Sequence, residues 1–155
     1  MISQTSEYAI RAIIDLAQQP PAAFVLTKEL GERLGIPHHY LGKILQQLVR
    51  TGVLDSVRGR QGGFRLARAA NSIKLREIIE PFENVDKKEE CILGQDKCND
   101  KVACPMHAFW KEVRDRYIRE LESKTVADLA EFGQRRKAHG LGASGTQPKG
   151  YRAVQ

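Results

Sequence analysis

Apolar side chains recur at helical spacing over residues 5–18, where Ala9, Ile10, Ile13, Leu16 and Ala17 would share one face. Thr5 or Ser6 can cap the start of that helix, and Pro20-Pro21 ends it. Thr27 caps a short helix over 28–34, with Glu29 and Glu32 near its N-terminal half, and Gly35 makes the turn. Pro37 suits the first position of the next helix, which runs to about Arg50 on the stripe Tyr40, Leu41, Ile44, Leu45 and Leu48. Thr51-Gly52 stops it. The pattern then changes. Residues 53–57 and 64–67 are short strand-like runs around a glycine-rich basic turn over 58–63, which reads as a β-hairpin.

Beyond the hairpin, 72–80 reads as a short helix ending near Pro81. Residues 83–103 have almost no apolar periodicity, and a loop of that length asks for a functional reason. A long helix is expected from Pro105 to about Glu122, with Phe109, Trp110, Val113, Tyr117 and Leu121 along one face. Thr125 caps a last short helix over 126–132, with Asp128 at its third position. The tail, 133–155, is basic, rich in glycine and expected to be disordered. There is no internal repeat. The fold class is mainly α with a small β-hairpin. Its expected division is a domain at 1–80, a cysteine loop at 81–104, a long helix and short terminal helix at 105–132, and the tail at 133–155.

Charge sharpens this picture. The 155 residues carry a net +6, unevenly spread. Residues 1–76 hold 11 Lys/Arg against 5 Asp/Glu, residues 77–132 hold 9 against 14, and residues 133–155 hold 5 against none. A basic N-terminal half followed by an acidic segment suggests a polyanion-binding module joined to something else. No run of 18 apolar residues offers a membrane span. The N-terminus lacks a basic and an apolar leader region, so the expected location is the cytoplasm.

Two helices around a tight turn, followed by a hairpin, are the parts of a winged helix-turn-helix. One helix fits the DNA major groove and reads base edges near its N-terminus. Here that position carries His38, His39 and Tyr40, with Gly42, Lys43 and Gln46 further along. Thr27 and Lys28, at the preceding helix start, are candidate contacts as well. The wing offers Arg58, Arg60, Gln61 and Arg65 beside glycines such as Gly62, which let a backbone lie close to a phosphate. Arginines there suit a narrow minor groove, where the potential is most negative. Helical packing alone, or a plain hairpin, is the bland alternative.

Cys91, Cys98 and Cys104 form a Cys-x6-Cys-x5-Cys series, and His107 follows three residues after the last. Three close cysteines are a poor secreted disulfide framework and point to metal binding or redox sensing. The residues alone leave four readings open: an iron–sulfur cluster, a Cys3His zinc site, a thiol or disulfide sensor, and inert cysteines.

The stretch from Leu26 through Gly35-Ile36-Pro37-His38-His39-Tyr40-Leu41-Gly42-Lys43 to Arg58-Gly59-x-x-Gly62-Gly63-Phe64-Arg65 resembles the Rrf-two family of bacterial regulators. The resemblance covers about 1–132, and the Arg58 to Phe64 wing is its most specific part. The family includes IscR-, NsrR- and RirA-like members and the cluster-free CymR. The resemblance implies a homodimer, formed mainly through the long C-terminal helix, on a partly palindromic double-stranded operator. Cluster-binding members carry three cysteines in this loop. The segment Cys104-x-x-His107-Ala108-x-Trp110 is similar to IscR-like members, where the matching histidine completes a 2Fe–2S centre. The first spacing, six residues here, is five there. Glu7 matches the position where NsrR-like members supply a carboxylate ligand from the other subunit, which would suit a 4Fe–4S centre; otherwise it is a helix N-terminal charge.

The expectation is a cytoplasmic, non-enzymatic homodimeric regulator, a repressor, with no membrane partner. An iron–sulfur cluster on Cys91, Cys98, Cys104 and His107, or Glu7 as the alternative fourth ligand, would control operator binding and report iron–sulfur supply, nitric oxide or redox state. The alternatives are a cluster-free, zinc- or thiol-based winged-helix regulator, a zinc-stabilised adaptor, and an electron-transfer protein. The last lacks any second cofactor motif.

Overall fold

A computed structural model describes residues 2–83, 85, 93 and 100–140. The described part is mainly helical with one two-stranded antiparallel sheet. Helix α1 is Gln4–Ala17, α2 is Thr27–Leu34 and α3 is His38–Arg50. Strands β1 (Leu54–Val57) and β2 (Gly63–Leu66) pair from Leu54 opposite Leu66 to Val57 opposite Gly63. Helices α4 (Leu75–Glu83), α5 (His107–Ser123) and α6 (Val126–Ala138) follow.

One principal core joins these elements. Ala9, Ala12, Ile13 and Leu16 of α1 meet Leu30 and Leu34 of α2, Leu41, Ile44, Leu45 and Leu48 of α3, and Phe64 of β2. Each fully buried Leu or Ile contributes about 1.5–3 kcal/mol. Gly35 closes α2 in the left-handed region (φ 65°), which turns the chain into α3 without strain. Val25 donates to the Phe64 carbonyl (3.0 Å) and accepts from its N–H (2.9 Å), so the entry to α2 is pinned to the hairpin. That pair of bonds fixes the wing relative to the helix-turn-helix.

Several boundaries differ from expectation, each for a tertiary or capping reason. Ser3, not Thr5 or Ser6, caps α1 by accepting from the Ser6 N–H. Thr27 is the first residue of α2 and caps nothing; Leu26 holds the cap position without a side-chain bond. Pro37 is likewise the cap position of α3 rather than its first turn. Helix α4 runs through Pro81 to Glu83. The proline removes one backbone donor, but Ile78 and Ile79 are buried and Glu83 is anchored. Its Oε1 accepts from the Ser3 N–H and the Ser6 hydroxyl, both at 2.6 Å.

Helix α6 also exceeds its expected end at Phe132 by nearly two turns. Gly133 lets it lie against α1: a Cβ there would stand 2.7 Å from Ile14 Cγ2. Lys137 hydrogen-bonds Gln18 at the end of α1. Val126 of α6 belongs to the principal core. The chain returns to that core along a short pairing, with the Leu75 N–H on the Lys124 carbonyl and the Val126 N–H on the Ile73 carbonyl, both 2.9 Å. So α6 packs with the N-terminal domain, although the sequence grouped it with α5. A smaller core of Ile79, Val85 and Leu121 holds α5 to α4.

Candidate nucleic-acid interface and metal centre

Leu41, Ile44, Leu45 and Leu48 turn inward from α3, and the opposite side of the helix is polar. His39, Lys43, Gln46 and Arg50 follow i, i+4, i+7 and i+11 spacing and are all exposed, so they form one ridge. His38 is exposed beside it, its ring 5.9 Å from that of His39. Gln46 was expected on this helix; Arg50 was not, and its spacing from His39 is the signal that finds it. Arg50 also donates to Gln47 Oε1 (3.3 Å). Thr27 is half-buried and Lys28 exposed at the start of α2.

Tyr40 does not belong to that ridge. Its hydroxyl is hydrogen-bonded to Thr5 Oγ1 (2.7 Å), and its ring meets Tyr8 edge-on with centroids 6.0 Å apart. It packs against the principal core. The structure therefore gives Tyr40 a positioning role: it ties the start of α3 to α1.

The wing divides in a similar way. Arg58, Arg60 and Gln61 are exposed at the hairpin tip, and neither arginine is ion-paired with a described residue. Two solvated guanidiniums on a protruding turn suit a phosphate or a narrow minor groove. Arg65, further down β2, is already engaged. It lies over the Phe24 ring (4.5 Å to the centroid) and 3.5 Å from Asp55. Gly62 is buried, and a Cβ on it would stand 2.1 Å from the Val57 carbonyl oxygen. The hairpin turn itself requires that glycine.

Of the expected cluster ligands, Cys91 and Cys98 lie outside the described residues. Cys104 is half-buried and not in a disulfide. The His107 N–H donates to the Cys104 carbonyl (2.9 Å), so the thiol and the imidazole sit within one turn at the start of α5. His107 is buried, and its Nε2 donates to Asp100 Oδ1 (2.7 Å). Lys111 Nζ reaches both oxygens of that carboxylate, at 3.2 and 3.3 Å. The hydrogen bond from His107, and then Lys111, hold Asp100 below the usual carboxylate range. A thiolate and an imidazole in one turn suit either an iron–sulfur cluster or zinc, and Asp100 is the kind of carboxylate that orients a ligating histidine. Glu7 is exposed in the first turn of α1, next to the Ser6 that holds Glu83 at the end of α4. No group of three metal-ligating side chains gathers among the described residues.

The apolar face expected along α5 is also divided. Phe109 is 59% exposed and Val113 40% exposed. Trp110 and Tyr117 are half-buried, and Tyr117 packs on the smaller core. Leu121 is only 5% exposed, because it fills that core against Ile79 and Val85 within its own chain. It is a packing residue of the protomer, not an outward dimer contact. No described helix is long and apolar enough to cross a membrane.

Comparison with known proteins agrees with this fold. The Rrf2 pattern, described as iron-dependent transcriptional regulator, matches residues 2–131. An HTH-type transcriptional regulator, rrf2-like, of Rhodobacter capsulatus is 30% identical over 142 residues, covering 86% of this chain and 94% of its own. The HTH-type transcriptional regulator slr0846 of Synechocystis is 32% identical over 129 residues, covering 83% and 86%. Among solved structures, IscR of T. potens superposes with a TM-score of 0.69 at 27% identity, covering 97% of this chain and 94% of that one. CymR of B. subtilis, the global cysteine regulator of that organism, shares the fold with a TM-score of 0.71 at 23% identity over 85% and 97%. These relatives are regulators and not enzymes. The fold is the DNA-binding fold of that group, and the chain belongs to the Rrf2 family of transcriptional regulators.

Proposed function

We propose that the chain is a cytoplasmic homodimeric repressor whose operator binding is controlled by an iron–sulfur cluster. The observation that carries the DNA half is that the polar α3 ridge and the wing arginines Arg58 and Arg60 are all exposed on one winged helix-turn-helix. A ridge of this width enters a major groove while the wing reaches the adjacent backbone or minor groove. His39, Lys43 and Gln46 take the base edges, and Lys28, His38 and Arg50 lie where phosphates pass. The exposed Phe109 and Val113, with Trp110 and Tyr117, form the face that meets a second copy. The dimer then presents two reading helices to half-sites about one helical turn apart.

Cys91, Cys98, Cys104 and His107 would hold the cluster, with 2Fe–2S as the favoured type. When bound, it supplies a redox-active and ligand-reactive centre that can be gained or lost as iron–sulfur supply, nitric oxide or oxidant changes. The protein's own part is to seat Cys104 and His107 in one turn and to orient the imidazole through Asp100. Closing the loop on a cluster would then set the start of α5, and through α5 the spacing of the two reading helices.

The test is anaerobic purification with iron and sulfide analysis and visible and Mössbauer spectroscopy, on the wild type and on Cys104→Ser, His107→Ala and Glu7→Ala. The expected result is a coloured 2Fe–2S protein, lost or labile in the first two variants and intact in Glu7→Ala. A 4Fe–4S spectrum disturbed only by Glu7→Ala would move the fourth ligand to Glu7. A colourless protein containing zinc, or no metal, would overturn the cluster. The DNA reading is tested separately, by selection from random duplexes and footprinting for two protected half-sites.

A further inference from the structure

The ridge of α3 has a gap. Gly42 lies three residues after His39 and four before Gln46, on the side of the helix facing α2. A glycine inside a helix weakens it by a factor of roughly five relative to alanine. At Gly31 the fold demands that cost, because a Cβ there would stand 2.7 Å from the Ile36 carbonyl oxygen. At Gly42 it does not. A Cβ there would meet only Thr27 Cγ2, at 3.8 Å, an ordinary contact, and the backbone is regular helix. Neither packing nor conformation requires this glycine.

Resting on the DNA reading above, we propose that Gly42 is a specificity-determining clearance: a shallow apolar notch in the reading face that accepts the C5-methyl of a thymine. Without a side chain at this point the space beside the Gly42 Cα, about 1.5 Å or one carbon–carbon bond deep, stays open next to Thr27. The notch has a methyl, Thr27 Cγ2, on one wall and the bare Gly42 Cα as its base. Among the groups that base pairs present in the major groove, the thymine methyl is the apolar one. His39 and Lys43, on the adjoining ridge, are exposed and polar. A base pair beneath it is therefore read by shape, while its neighbours are read by hydrogen bonds.

The experiment uses the full-length wild-type protein to select its operator from random duplex DNA. Each invariant thymine of that operator is then replaced singly by uracil, which lacks only the methyl. The expected result is one position per half-site where uracil weakens wild-type binding about fivefold. Gly42→Ala should melt about 3 °C higher, bind the selected operator at least tenfold more weakly and lose the sensitivity to uracil. The proposal is overturned if Gly42→Ala binds the operator as the wild type does, or if no single uracil matters. Enrichment of no sequence by the wild type would instead overturn the DNA reading on which the proposal stands.

Discussion

The N-terminal domain and the α5 arm solve opposite problems with their apolar side chains. From α1 to α4, with α6 added, apolar positions converge on one core and the charged ones are left outside. Along α5 the core contact is thin, limited to Leu121 with partial cover of Tyr117 and Ile118, and Phe109 and Val113 face solvent. A domain that closes its own core can carry a solvated, basic reading surface. An arm that leaves aromatic and branched side chains outside has the character of an interaction surface. The difference predicts where mutations should act: in the domain on folding, in the arm on the proposed association.

The largest effect should follow from attacking the arm. Replacing Phe109 and Val113 together by Glu buries two charges in the proposed dimer face. Dimer dissociation should strengthen by at least a hundredfold, since hot-spot side chains contribute about 2 kcal/mol or more each. Sedimentation reads the oligomer, and circular dichroism should show each protomer still folded. A dimer that persists at micromolar concentration would refute the face. The opposite experiment is Leu45→Ala in the domain. It should cost about 2–5 kcal/mol in urea unfolding by leaving a cavity, with no specific effect on association.

A finer comparison separates the solvated wing tip from the packed start of α3. Arg60→Ala should flatten the dependence of log affinity on log salt by about 0.9, the contribution of one phosphate. Tyr40→Phe removes the bond to Thr5 and should lower stability by about 1 kcal/mol without changing which sequences are selected. His39→Ala should do the reverse. A shift in selected sequence for Tyr40→Phe would return Tyr40 to the reading set.

Much of the domain was legible in the sequence because helical spacing, Gly35 and the glycine-rich turn are local signals. The ridge was only partly legible. Tyr40 stands beside two histidines at the expected place, and only the position of Thr5, 35 residues earlier, shows that its hydroxyl is used inside. Arg50 follows from spacing once the inward face of α3 is fixed. Leu121 shows a deeper limit. A helical wheel identifies an apolar face but does not say whether it meets its own chain or another. Helix ends were misplaced where a distant contact decided them, as with Glu83 on Ser3 and Ser6 or Gly133 on Ile14.

The smallest effect comes from the joint between the two regions, where α5 ends and the chain re-enters the domain. Thr125 and Asp128 form a reciprocal cap on α6. The Asp128 N–H donates to Thr125 Oγ1 (3.3 Å), and the Thr125 N–H and hydroxyl donate to Asp128 Oδ2 (2.7 and 2.8 Å). Thr125→Ala should cost about 1 kcal/mol, as helix caps do. The carboxylate adds a pH signature. The backbone N–H of Thr125, and then its hydroxyl, lower the Asp128 pKa from its ordinary 3.8. A folded-state pKa below the unfolded one means that the contribution is fully present above the ordinary value and is lost as pH falls through the folded value. Wild type should therefore melt above Asp128→Asn at neutral pH, and the gap should narrow steadily below about pH 4. A gap independent of pH would mean that the cap works by shape and hydrogen bonding alone. A gap that widens on acidification would contradict the lowered pKa. Because α6 packs on α1 and not on the arm, neither variant should change the dimer dissociation constant. A change there would show that the joint couples the two regions.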